Sequence, residues 1–288
     1  MRFLLACWIL LFALPLAAKP PVPLLWKVEK GAGTVYLLGS FHVLKPGDYP
    51  LDASLEAAYA DAETVVFEVP PAAMMSGGAA ASAIKLAKFE DGRTLRGVIS
   101  PATAERLRAF LGSEAALAAA DPFEPWYMSL NLAVMAIMQA GFDPTLGLDL
   151  HLMQRSGKDG KATEGLETIE DQLSTFDRTP LAEQDKMLAD ALKSLSELRE
   201  QLNKLHADWR SGDANALESE LAVKMRDETP TAYQLLLVER NQAWLPKIEA
   251  MLTASDDHLV VVGALHLVGE DGMVEQLRQR GYSVERVE

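Results

Sequence analysis

Cysteine is nearly missing from this chain. The one cysteine among 288 residues, Cys7, lies in the opening apolar segment. A chain trimmed of that segment has no disulfide framework, no thiolate metal site and no cysteine nucleophile. Any metal must then be held by His, Asp or Glu. Positive charge is also scarce: 27 Lys and Arg face 41 Asp and Glu, for a net charge of −14. The excess is spread widely and not gathered in a tail, which argues against a nucleic-acid partner. No Gly-x-Ser-x-Gly elbow, His-Glu-x-x-His, phosphate loop or dinucleotide fingerprint occurs. Ser40 stands two residues before His42 but has no relay in the sequence to activate it.

The first eighteen residues, MRFLLACWILLFALPLAA, carry one charge, Arg2, then an apolar run and small residues. That is the layout of a secretory signal, and its roughly 16 apolar residues fall short of the roughly 20 that span a bilayer. Cleavage after Ala18 is expected, with release to the periplasm or outside. An uncleaved leader would instead anchor the chain at the inner membrane. Cys7 comes too early for a lipoprotein box, because no apolar core precedes it. Residues 22–288 are then read as a single domain, since the remaining length suffices for one large core.

Leu24–Glu29 and Thr34–Leu38 are β-rich runs around Lys30-Gly-Ala-Gly33, whose glycines suit the positive φ of a tight hairpin turn. Asp52 can cap an Ala-rich helix to about Ala62, and Thr64–Val69 reads as a buried strand, so a parallel crossover is expected. Residues 71–81 read as a mobile loop, and the chain from about 80 to 256 as mostly helical. Lys161–Glu167 interrupts it with a short strand and turn. Leu188, Leu192, Leu195, Leu198, Leu202 and Leu205 predict one long amphipathic helix over Leu181–Leu205. The last thirty residues return to strand, helix, strand: His258–Val262, Gly269–Arg280 and Tyr282–Val287. The predicted fold is α/β (mixed α+β), with a central mixed sheet made by the two chain ends and covered by a large helical insertion.

Two of the five histidines sit in the same setting: Gly39-Ser-Phe-His42 and Gly263-Ala-Leu-His266 each follow an apolar strand. Ligands of open α/β sheets lie beyond the carboxyl ends of strands, and glycine there lets backbone approach closely. Glu68 ends the third predicted strand, where a buried carboxylate requires a partner; a rim position open to solvent is the alternative. His151, His206 and His258 have weaker claims and read as surface or core residues.

With these residues the chain resembles the TraB/GumN (Tiki-related) family, which carries paired Gly-x-x-His motifs and an intervening strand-end glutamate. Gly147-Leu-Asp149, Gly165-Leu-Glu167-Thr168 with Gln172, and Glu239-Arg240-Asn241 with Trp244 extend the resemblance over nearly the whole mature chain. Some animal relatives are metal-dependent proteases, plasmid-encoded relatives limit peptide-pheromone signalling, and many bacterial members have no assigned activity. The resemblance therefore implies a peptide or small-protein substrate. Two neutral imidazoles and a carboxylate from His42, Glu68 and His266 form a three-ligand set for Mn²⁺, Co²⁺ or Zn²⁺, with positions left for water. Asp149 or Glu167 is then a general base or orients a histidine, and Arg240 holds a substrate carboxylate or oxyanion. The structural alternatives are a helix N-cap for Asp149 and a buried ion pair for Arg240. Capture of a peptide, haem or metal without turnover is the competing functional expectation.

Overall fold

The structure, a computed structural model, describes residues 19–193 and 195–287. The leader read at 1–18 lies outside the described residues. Six strands form one sheet: β1 (Leu24–Glu29), β2 (Thr34–Ser40), β3 (Thr64–Phe67), β4 (Ala162–Gly165), β5 (His258–Gly263) and β6 (Ser283–Arg286), in the order β4-β3-β5-β2-β1-β6. β1 is antiparallel to both β2 and β6, whereas β2, β5, β3 and β4 run parallel. The two chain ends thus share one mixed sheet, as the sequence predicts.

The opening hairpin pairs Leu24 with Gly39 and Glu29 with Thr34. Its turn glycines serve a different purpose from the expected one, since neither has positive φ. A Cβ on Gly31 would stand 2.2 Å from the Leu252 carbonyl oxygen, so close approach requires the glycine. The crossover through the Ala53–Asp61 helix exists, with Asp52 accepting from the Ser54 amide at its start. β3 does not pair with β2, however, because β5 inserts between them. Every residue of β3 and β5 is buried, as expected of central parallel strands covered on both faces. Leu55, Tyr59, Leu152, Trp244, Ile248 and Leu277 bring the surrounding helices into that core. Full burial of an aliphatic side chain of this size contributes about 1.5–3 kcal/mol.

Two expectations in the helical region are corrected. Residues 71–81 are no loop: Pro71–Met75 and Gly78–Leu86 are helical. Pro71 occupies the first helical position, where its missing N–H costs nothing, and the alanines beyond favour helix. The single helix expected over Leu181–Leu205 is two, Leu181–Ala191 and Leu195–Ser211. Leu192 leaves helical geometry with ψ 11°, and the Lys193 amide closes a tight turn on the Asp190 carbonyl at 3.1 Å. Met187 and Ala191 before the break and Leu198, Leu202 and Leu205 after it line one cavity of about 700 Å³, so an apolar surface is shared by both helices. Helical packing forms two smaller cores of its own, around Leu107, Leu117 and Leu188 and around Val69, Trp126 and Ile169.

Candidate functional site

The parallel pairing sets the site. Ser40 faces Gly263 and Phe67 faces Val261 across the sheet. The carboxyl ends of β2, β5 and β3 therefore share one edge, and His42, His266 and Glu68 follow them within three residues. Glu68 Oε1 accepts from the Gly263 amide at 2.7 Å and lies 3.9 Å from His266 Nε2. A Cβ placed on Gly263 would stand 3.1 Å from His42 Nε2 and 3.3 Å from Glu68 Oε1. The second Gly-x-x-His glycine thus leaves the space into which both groups point.

Each imidazole is oriented from behind. His42 Nδ1 lies 3.3 Å from Asp149 Oδ2. His266 Nδ1 lies 2.7 Å from Asn241 Oδ1, and the Asn241 amide nitrogen is committed to the Asp271 carbonyl at 2.8 Å. Both acceptors assign a proton to Nδ1 and leave the Nε2 atoms facing the Glu68 carboxylate. Asp149 is not the helix N-cap, because Gly147 takes that position in the Leu148–Asp159 helix. That helix is tied to the histidine segment through the Leu148 amide and the Phe41 carbonyl, 3.1 Å apart. Asp149 Oδ1 is buried without a hydrogen-bond partner.

Arg240 fills the floor. Its Nε and Nη2 donate to Glu167, Nη2 also donates to Glu68 Oε2 at 2.6 Å, and Nη1 donates to the Leu236 carbonyl and to His266 Nε2 at 3.1 Å. All five N–H groups are thereby used inside the protein, and the guanidinium stacks on Trp244. In this arrangement Arg240 is a buried ion-pair partner with no donor left for a substrate. It follows a π-helical segment, Gln234–Val238, whose shifted backbone pairing leaves the Leu236 carbonyl for the side chain. Gln172 donates to Glu68 Oε2 at 2.9 Å and completes the carboxylate's partners.

The electrostatics separate the two histidines. Burial, then the Arg240 charge, lowers the His266 pKa to about 3, so that ring is neutral. For His42, desolvation by surrounding protein opposes protonation, but Asp149 and Glu68 outweigh it and raise the pKa to about 9. His42 is also the open side of the site, with 59% of its side chain exposed. Burial would raise the Glu68 pKa, yet Arg240 and the two histidines hold it at about 2. Burial raises Glu167 against the opposing pull of Arg240.

The five residues expected from sequence, His42, Glu68, Asp149, Arg240 and His266, lie in one cluster with Glu167. As arranged, no group of three or more His, Cys, Asp or Glu among the described residues encloses a metal position. Arg240 stands on the lone pair of His266 that a metal would use. His151 packs on Tyr49, and His258 begins β5, outside the cluster. A second polar cluster lies around Asp48. Asp48 is buried and accepts from the Lys45 amide at 2.7 Å, from His206 Nε2 at 2.8 Å and from Arg210. Only spatial proximity joins these residues, so no local motif marks them. The 700 Å³ cavity meets the site elements only through Leu265, whereas a smaller cleft of about 440 Å³ includes Gln172 in its wall.

A helix-covered mixed sheet with a buried histidine–glutamate–arginine cluster at its carboxyl edge defines an α/β protein of strand-end site type. The profile of the TraB/PrgY/gumN family matches residues 24–286, and the chain belongs to this family. It is similar to "Uncharacterized protein YbaP" of Escherichia coli (strain K12) and of Shigella flexneri, 27% identical to each over 156 residues. Those stretches cover 53% of this chain and 56% of the relatives, so the chain spans about half the length of the curated relatives it matches. No solved structure matches.

Proposed function

We propose that this is an exported, metal-dependent hydrolase acting on peptide bonds, with His42, Glu68 and His266 as the ligands. The observation that carries the reading is the paired orientation of the imidazoles: each Nδ1 has an acceptor behind it, and each Nε2 faces Glu68. The donor set, two imidazole nitrogens and a carboxylate, suits Mn²⁺, Co²⁺ or Zn²⁺. Charge supports it as well. Counted formally, Glu68, Glu167 and Asp149 exceed Arg240 by two negative charges when both rings are neutral, which a divalent cation balances. Entry requires the Arg240 Nη1 donor to leave His266 Nε2.

When bound, such a cation polarises a carbonyl and lowers the pKa of water. Asp149 fixes the His42 ring through Oδ2. Asn241 fixes His266. Arg240 positions Glu68 and Glu167 and touches the reacting groups only through them. Export rests on the leader composition; among the described residues no helix is long and apolar enough to cross a membrane.

A second reading, capture of a peptide, haem or metal without turnover, is favoured by one feature: Arg240 has no free donor for an oxyanion. The test is metal content of the purified mature protein, followed by cleavage of a mixed peptide library with and without Mn²⁺, Co²⁺ or Zn²⁺. One metal per chain with metal-dependent cleavage is expected. Metal without cleavage selects capture, and neither metal nor cleavage sinks both.

A further inference from the structure

Exposed apolar side chains are concentrated beside the site. Nine large ones are exposed among the described residues, and seven lie on three helices: Pro71–Met75, Gly78–Leu86 and Pro125–Gln139. Scattered apolar residues are ordinary on a surface, but a contiguous set marks an interaction site. These helices and Ile169–Asp177 enclose the cleft of about 440 Å³. Its walls include Met74, Tyr127, Leu130, Val134, Met135 and Leu173, and no wall residue is Asp, Glu, His, Lys or Arg. In a chain that is 24% charged with a net charge of −14, an uncharged concavity of this size is a selective feature.

Two details identify an occupant. Gln172 lines the cleft and donates to Glu68 at 2.9 Å, so one wall residue of the cleft is bonded directly to the candidate site. Asn131 and Gln172 put carboxamides among the apolar walls, which suits the alternating amides and side chains of an extended chain. Methionine side chains are flexible and polarisable, and they accommodate varied apolar partners. An anionic bilayer is disfavoured by the charge of the chain and the lack of basic residues in the cleft.

We propose that this methionine-lined cleft is the subsite that receives an uncharged, apolar stretch of an extended polypeptide and leads it to Glu68. The proposal rests on the reading of the site as peptide-acting, so its test uses binding without turnover. Two fluorescein-labelled twelve-residue peptides, one with a Leu/Val/Phe core and one with a Ser/Asn core, are titrated by anisotropy against the mature protein in chelator. The apolar peptide binds at least tenfold more tightly, and Met135→Glu or Met74→Glu removes that preference. Both positions are exposed, at 45% and 43%, and thermal melts confirm that the variants are folded. Phe110→Glu, at an apolar position 47% exposed and outside the cleft, leaves binding unchanged.

Equal binding of the two peptides, or indifference to both cleft variants, overturns the proposal. So does loss through the cleft variants of binding to phosphatidylcholine vesicles in place of peptide, or of a dimer seen by light scattering. Metal content and turnover of the unaltered protein separate the two readings. Apolar-peptide binding by a protein that holds no metal and cleaves nothing supports the cleft and sinks only the hydrolase; turnover without apolar preference sinks only the cleft.

Discussion

At the scale of residues, the site is a set of mutual constraints, and its members are not interchangeable. His42 and His266 point Nε2 at one carboxylate, so on the proposed metal reading each single alanine variant removes a ligand from the same ion. His42→Ala and His266→Ala are each expected to weaken Mn²⁺ or Zn²⁺ affinity by a similar factor in calorimetry, with little further loss in the double variant. Additive losses would mean two separate sites. Arg240 calls for another measurement, because its partners are internal. Arg240→Met leaves Glu68 and Glu167 buried without a counter-charge and is expected to cost about 3–5 kcal/mol in urea unfolding at neutral pH. Protonation relieves those carboxylates, so the deficit shrinks as pH falls; a pH-independent deficit would contradict the ion-pair account. The histidines and Glu68 were legible in sequence because apolar strands and glycine mark strand ends locally. The saturation of Arg240 was not, since its five acceptors come from helix, strand end and loop at distances that no local pattern records.

The elements show where local pattern stops being sufficient. Hairpin, crossover helix and terminal strands were legible from alternation and capping, but strand order was not, because insertion of β5 between β2 and β3 is decided by long-range burial. The break after Ala191 was hidden for a related reason: Leu188 packs with Leu107 and Leu117 while Leu198, Leu202 and Leu205 line a cavity, so leucines recur at helical spacing on two helices that bury them in different places. The segment from Phe41 to Pro50 that carries His42 has little regular structure and is held by side chains. Asp48 bonds the Lys45 amide, His206 and Arg210, Tyr49 reaches the Leu146 carbonyl at 2.7 Å, and Leu44 bridges to Asp143. Burial would raise the Asp48 pKa, but His206 and the Lys45 amide hold it below the usual range. Asp48→Asn keeps the shape and removes the charge. Its expected cost is about 2 kcal/mol, with faster hydrogen exchange across residues 43–49 and weaker metal binding. Unchanged exchange there would show that Asp48 does not hold the His42 segment.

For the whole molecule, the buried groups at the sheet edge set a common direction for acid sensitivity. His266 has a folded pKa of about 3 against an ordinary 6.5, so below 6.5 the unfolded chain binds a proton that the folded chain refuses. Its contribution is therefore present above 6.5 and lost as pH falls toward 3, at about 1.4 kcal/mol per pH unit. Glu68, lowered from 4.5 to about 2, adds a loss of the same sign between those values. His42 has the opposite sign: its pKa rises from 6.5 to about 9, so its contribution is present below 6.5 and fades through 9. The fall between pH 6.5 and 4.5 thus belongs to His266, before Glu68 begins to titrate. Urea unfolding of the metal-free protein in chelator should show midpoints falling steadily across that window. His266→Gln cannot take up a proton there and keeps a polar side chain beside Asn241 and Arg240. It should lower stability at pH 7 yet flatten the slope between 6.5 and 4.5, so that the two curves converge in acid. Parallel curves would place the acid sensitivity in groups other than His266 and remove the support for a neutral ring at the site.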